Sequence, residues 1–198
     1  MFKFIRFLKY NTHPARIESK CRGLILLGCN QAMRMFKSDD VRKLLKFDQA
    51  GRTEQDRFFN EMTVTNIIML LLIIDKQIIE TDDLERKMYL KALREDTPKN
   101  FNAFLKRIGI PKKYAKIWQK LVNLRYDEYD KGVLEWRGAL MDHNYEVATN
   151  KTLMIFQTVA FGLYQHLRRG KVSPKDELYK RVQGFLLPVY KGLMKKIG

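Results

Sequence analysis

The side chains best suited to chemistry crowd into one stretch, NLRYDEYDKGVLEWRGALMDHNYEV, residues 123–147. It holds Arg125, Tyr126, Asp127, Glu128, Tyr129, Asp130 and His143. Two spacings are nested in it: Arg125-x-x-x-Tyr129-Asp130, then Ala139-Leu140-x-x-x-Asn144. Such residues can act as acid and base, as a cation for a carboxylate or phosphate, or as polar links inside a helical core. On a helix turning about 100° per residue, Tyr114, Leu121, Val122 and Tyr129 share a face with Trp118, and Arg125 falls near its centre. A guanidinium on an apolar face is unfavourable unless it is paired and hydrogen-bonded. The position therefore predicts a dedicated partner: Glu135, Asp142 or helix-end carbonyls. Asp130 turns away from Arg125 and is expected to meet Tyr126 or to cap the next turn.

Known catalytic patterns do not assemble around these residues. His13, His143 and His166 are scattered, and none stands three residues after a Glu or four from a second His, so neither HExxH nor ExxH is present. Phosphate-cradling glycine loops are missing, and no Ser or Cys sits in a nucleophile motif. Asp127, Glu128 and Asp130 read as a solvated acidic face. Cys21 and Cys29 are the two cysteines, too sparse for a disulfide framework, and fit small buried thiols in a reducing compartment. The chain is expected to be non-catalytic, with neither metal nor cofactor.

The elements that must position Arg125 are all helices. Pro14 opens one that runs to about Phe36, and Ser38-Asp39 caps a short one through Phe47. After the turn at 48–52, Thr53 with Asp56 resembles a capping box for a long helix reaching Glu80. Thr81 precedes a helix from Leu84 to about Glu95, and Thr97-Pro98 reads as a fresh start ending at Gly109. Pro111 begins the helix of Arg125, which is expected to stop near Lys131-Gly132. Further helices follow over 133–142 and from about Glu146 to Arg169, with a stop at Gly170. Ser173-Pro174 with Asp176 opens the last, to Lys196, with a kink at Pro188. The fold class is all-α: a single multi-helix domain.

Charge divides the chain differently. Residues 1–46 hold eleven Lys and Arg against three acids, 171–198 hold seven against two, and the formal net charge is +16. Such an excess implies RNA, anionic lipid or an acidic protein surface as partner. Three parts are expected: a basic extension over 1–47, a helical domain over 48–170 and a basic amphipathic helix over 171–198. The longest apolar run, Ile67 to Ile74, is shorter than the about 18–20 residues that span a bilayer, so no transmembrane helix is expected. The opening segment alternates Phe2, Phe4 and Phe7 with Lys3, Arg6 and Lys9, like a mitochondrial targeting segment or an interfacial helix. It is expected to be retained and to contact a partner or a membrane. In the last helix Leu178, Val182, Phe185, Leu186, Val189 and Leu193 form a stripe. Lys191, Lys195 and Lys196 lie beyond Pro188, where the chain is expected to reach outward to an acidic or phosphate-bearing partner. A helix-turn-helix regulator fits poorly, because no polar recognition helix is evident.

The motif Arg125-x-x-x-Tyr129-Asp130 followed by Ala139-Leu140-x-x-x-Asn144 resembles the ubiquinol–cytochrome c chaperone family, which assists assembly of the mitochondrial bc1 complex. RIGIPKKYAKIWQKL (107–121) is similar to the family's Gly-x-Pro-Lys segment. DQAGRTEQDRFFNEMTVTNIIMLLLI (48–73) is similar to its turn and Arg-Phe-led apolar helix. The likeness covers about residues 48–168, and Asp142-His143 stands where several members have an aromatic residue and an Arg. The resemblance implies an assembly or scaffold protein of the respiratory chain on the matrix side of the inner membrane. It would bind a hydrophobic subunit or the mitochondrial ribosome; the basic ends, independently of the resemblance, suit anionic lipid such as cardiolipin, or RNA, as a further partner. Two alternatives remain: a permanent subunit of a respiratory complex, the ATP synthase or the mitoribosome, and an RNA-binding protein acting through phosphate contacts.

Overall fold

From Glu61 to Ile74 every residue is buried, whichever side of its helix it faces. A helix apolar all round must be enclosed by others, and the rest of the fold is that enclosure. A computed structural model describes residues 10–142, 151–173 and 175–198, and among them all regular structure is helical. The helices are α1 (Pro14–Lys37), α2 (Asp39–Leu44), a 3-10 turn (Phe47–Gln49), α3 (Arg52–Glu80), α4 (Leu84–Arg107), α5 (Lys112–Asp142), α6 (Lys151–Leu167) and α7 (Glu177–Ile197). The chain is thus all-α and a single domain.

Five long helices close a ring around α3. α1 packs on α4, α4 on α5, α5 on α6, α6 on α7 and α7 back on α1, and α3 touches all five. By length and composition α3 could cross a membrane, with a mean hydropathy of 1.7 over its most apolar window, yet 72% of that window is buried among its neighbours. At one end of the bundle, edge-to-face and stacked rings link Phe58, Phe47, Phe36, Phe59, Trp118 and Phe101. They tie α1, the 3-10 turn, α3, α4 and α5 together. α1 approaches α3 closely at buried Gly28, where a Cβ would come 3.1 Å from Asn66 Cβ.

Several expected boundaries move. Asp83, not Thr81, caps α4, its Oδ1 accepting from the Glu85 and Arg86 amides. Gly51 rather than Thr53 precedes α3, with no side-chain cap. Pro98 starts nothing: it lies inside α4. Leu90, Leu93, Thr97, Phe101 and Leu105 form a buried stripe through it, and that burial outweighs the missing amide. Gly132 does not end a helix either, since α5 runs from 112 to 142. A Cβ there would come 2.9 Å from Thr158 Cγ2, so the glycine marks where α5 and α6 pack closely. Gly109 at φ +85° does close α4, with the Ile110 amide donating to Leu105 O at 2.9 Å.

The extensions expected over 1–47 and 171–198 follow charge rather than packing. α1 contributes Ile17, Cys21, Leu24, Ile25 and Met35 to the same core that takes Leu178, Val182, Leu186, Val189, Leu193 and Ile197 from α7. The apolar stripe of α7 runs on through Pro188, so its final turns stay packed in the domain and do not reach outward. Lys191, Lys195 and Lys196 are exposed on its outer side.

Candidate functional site

The partner of Arg125 comes from the central helix. Arg125 Nε donates to Glu61 Oε2 at 3.1 Å and Nη2 to Glu61 Oε1 at 2.8 Å, a two-pronged grip between α5 and α3. Nη1 donates to Glu128 Oε2 at 3.0 Å. The expected partner Glu135 is not used in this grip, and the side chain of Asp142, the other candidate, lies outside the described residues. Glu135 instead pairs with Lys131 on its own helix at 3.7 Å. The Glu61 side chain is only 6% exposed, and burying its charge is tolerable because two charge-assisted bonds meet it. Burial works against the Arg125 charge, but the Glu61 hydrogen bonds, backed by the Glu61 and Glu128 charges, raise its pKa above the ordinary arginine value.

Glu128 extends the cluster to α6. Its Oε1 lies 3.0 Å from His166 Nε2, near enough for charge to be felt although the pair is not aligned as a hydrogen bond. Burial, then the Arg125 charge, lowers the His166 pKa, which favours the neutral imidazole. Tyr129 lies beneath, fully buried, its hydroxyl 3.3 Å from Thr65 Oγ1 and its ring stacked on His166 at 6.0 Å. Burial pushes its phenol well above the usual range. The ring fits because residue 162 is glycine: a Cβ there would lie 2.3 Å from Tyr129 Cε1. Beside the cluster, α5 and α6 part to leave a cleft of about 480 Å³ edged by Glu128, Glu135, Thr158, Phe161 and Gln165.

A second network sits further along α3. Arg94 Nε donates to both Asp75 oxygens, at 2.9 and 2.7 Å, and Tyr126 Oη donates to Asp75 Oδ2 at 2.7 Å. Arg94 also lies 4.9 Å over the Tyr126 ring. Burial, then Asp75, pushes the Tyr126 phenol up to about 12. Asp130, expected to meet Tyr126 or cap a turn, does neither: Asp75 takes the Tyr126 hydroxyl and the helix runs on. Burial, then Asp75 and Asp127, raises the Asp130 pKa.

The structure therefore joins Arg125 and Tyr129 into one cluster and leaves Asp130 beside the other. Tyr114, counted on the apolar face, is exposed in the first turn of α5. Ala139 and Leu140 lie on α5, but their side chains are outside the described residues, as are Asn144 and the segment with Phe2, Lys3, Phe4, Arg6, Phe7 and Lys9. Cys21 is buried near Leu93 O and Thr97, and burial pushes the half-buried Cys29 thiol up to about 12. Among the described residues no group of three His, Cys, Asp or Glu could hold a metal ion. Glu61 escaped the sequence reading, while Glu128 read only as part of a solvated acidic face and His166 only as one of three scattered histidines; the structure puts all three in the cluster. Glu61 had a signal, since it is the one charged residue between Phe58 and Ile74, and such a residue needs a partner as much as Arg125 does.

Comparison with known proteins finds no family model, curated protein or solved structure that matches this chain. The chemistry of the cluster stands on its geometry. Both prongs of Arg125 are engaged, Glu128 is shared between Arg125 and the neighbourhood of His166, and Tyr129 is sealed under Gly162. These groups hold α3, α5 and α6 in register.

Proposed function

We propose that the protein is a non-catalytic assembly or scaffold protein of the mitochondrial respiratory chain, holding a hydrophobic inner-membrane subunit on the matrix side. The observation that carries this reading is an apolar cleft of about 180 Å³ where the last turns of α3 meet α5 and α6. Leu72, Ile79, Val133, Leu134 and Ile155 line it. Ile79 is 81% exposed and Leu134 58%, and exposed apolar side chains around a groove mark a place for a partner's apolar segment. Asp75, Glu80 and Asp130 lie at its edge with a single cation, Lys76. Membrane subunits carry an excess of Lys and Arg on their inner flanks, so an apolar helix with a basic end complements this groove in both respects. The likeness of residues 48–168 to the ubiquinol–cytochrome c chaperone family supplies the class of partner.

The test is purification from the native source in mild detergent, for the natural chain and for a variant carrying Ile79→Asp and Leu134→Asp. Both positions are exposed, so the variant keeps its melting temperature. It is expected to lose a hydrophobic inner-membrane subunit from the proteins that co-purify. A variant that keeps every partner removes this reading.

A further inference from the structure

The face opposite in character is built by α1 and α7, which run antiparallel where the ring closes. Arg181 Nη2 meets Asp40 Oδ2 of the adjoining α2 at 3.2 Å, and Gln31 Nε2 of α1 donates to Phe185 O at 2.9 Å. A Cβ at Gly192 would lie 3.4 Å from Leu27, and Lys196 comes beside Lys20. This register brings Arg16 and Lys20 of α1 together with Lys196 of α7 around a cleft of about 290 Å³. Its remaining walls are Ser19, Gly23 and Leu24, and among the described residues no acid lines it. Glu18, the acid of α1, pairs with Arg22. At Gly23 a Cβ would meet nothing within 4 Å, so the floor is open helix backbone.

Three cations from two helices converge on a concavity whose described walls hold no counter-charge. Part-burial, with Lys196 behind it, lowers the Lys20 pKa below its ordinary value. An anion seated in the cleft would relieve this. The cleft does not stand alone. At about 100° per residue, Arg16, Gly23, Asn30 and Arg34 form one exposed line along α1, and Lys191 and Lys195 are exposed on α7. Leu26 and Met33, 45% and 39% exposed, lie beside that line. Basic residues mixed with exposed aliphatic ones suit the boundary between headgroups and acyl chains. Single-stranded RNA would be better met by exposed aromatic rings, and α1 exposes none.

We propose that the α1–α7 face docks on an anionic membrane and that the cleft of Arg16, Lys20 and Lys196 receives the phosphate of a lipid headgroup. This rests on a different surface from the apolar groove and holds whether or not that groove binds a subunit.

The experiment is co-sedimentation of the full chain with vesicles of phosphatidylcholine alone and of phosphatidylcholine containing cardiolipin. Binding is expected to the second only. Near an anionic surface each Lys or Arg contributes roughly fivefold in affinity. A variant with Arg16→Gln, Lys20→Gln and Lys196→Gln should therefore bind about a hundredfold more weakly. Gly23→Leu fills the cleft while keeping every charge, and should weaken binding with the melting temperature unchanged. A control with Lys43→Gln, Lys112→Gln and Lys171→Gln, all exposed and off the α1–α7 face, removes the same charge elsewhere and should lose clearly less. Equal losses in the two triple variants, or full binding by Gly23→Leu, overturn the cleft as the site. Full competition by inorganic phosphate at matched ionic strength makes free phosphate the ligand and overturns the lipid assignment. Tight RNA binding without vesicle binding overturns it as well.

Discussion

Helix α3 carries two carboxylates on nearly one face, about four turns apart, and each is met by an arginine from another helix. At Glu61 the Arg125 guanidinium bonds through two nitrogens to a side chain 6% exposed. At Asp75 the Arg94 guanidinium uses Nε alone, on a side chain 28% exposed, and Tyr126 adds a bond. The residue types match and the surroundings differ. Where water is excluded, breaking the pair leaves a bare charge with no solvent to screen it. Where water reaches, the survivor is rehydrated and little is lost. The first pair fixes the relative position of α3 and α5; the second sits where the bundle borders its apolar groove and can yield.

The largest break in this comparison is Arg125→Ala. It leaves Glu61 buried and uncompensated and is expected to cost about 3–5 kcal/mol, a large part of the about 5–15 kcal/mol that holds a domain folded. Arg125→Lys should recover only part of this, since an ammonium cannot reproduce the fork. Arg125→Met combined with Glu61→Leu should recover most of it, because no charge then remains buried. Urea unfolding of the variants tests the series. An Arg125→Ala protein as stable as the natural one would return the pair to the class of surface bridges.

Next in size is the glycine that admits Tyr129. Gly162→Ala places a methyl group 2.3 Å from a Tyr129 ring carbon, and overpacking of this kind costs about 1–3 kcal/mol. Gly132→Ala meets only the end of the Thr158 side chain, which can turn, so thermal melts should rank it milder. On the half-exposed side, Arg94→Ala should lower stability by only about 1 kcal/mol. A double-mutant cycle with Asp75→Ala should give a smaller coupling than the Arg125–Glu61 cycle. Equal coupling energies would erase the distinction between the two pairs.

The smallest expected effect is a pH dependence at the outermost cluster. The Arg57 hydrogen bond, then that of Arg169, holds the Glu54 carboxyl down to about 2 from an ordinary 4.5. A carboxyl lowered on folding contributes stability above about pH 4.5 and loses it as the pH falls toward about 2. Glu54→Gln should flatten that part of an acid-unfolding curve, by far less than Arg125→Ala does at neutral pH. His166 acts in the same direction higher up. Its pKa is lowered in the fold, so stability declines as the pH falls below 6.5, and His166→Gln should remove that slope.

Much of this architecture was legible in the sequence. The apolar run at 67–74 and the helical spacing of the last stripe point to an all-α domain, and Arg125 on an apolar face predicts a dedicated partner, which Glu61 supplies. The identity of that partner is not legible, because Glu61 lies 64 residues away in sequence on another helix. Pro98 and Gly132 misled for one reason: local rules describe a helix in water, whereas packing against α1, α3 and α6 decides there. Charge misled at both ends of the chain. α1 and α7 are basic outside and apolar inside, and net charge sees only the outside.

Ring closure has a consequence for how the protein is made. α3 emerges early in synthesis, but one flank of it stays uncovered until α7 arrives and seats itself between α6 and α1. A nascent chain released before α7 would present an open apolar trough about the length of a helix, a target for chaperones and for self-association. Conversely, α1 and α7 are already neighbours. A short linker joining them, with the chain reopened between α4 and α5, would give a permuted protein with the same ring and a different order of closure.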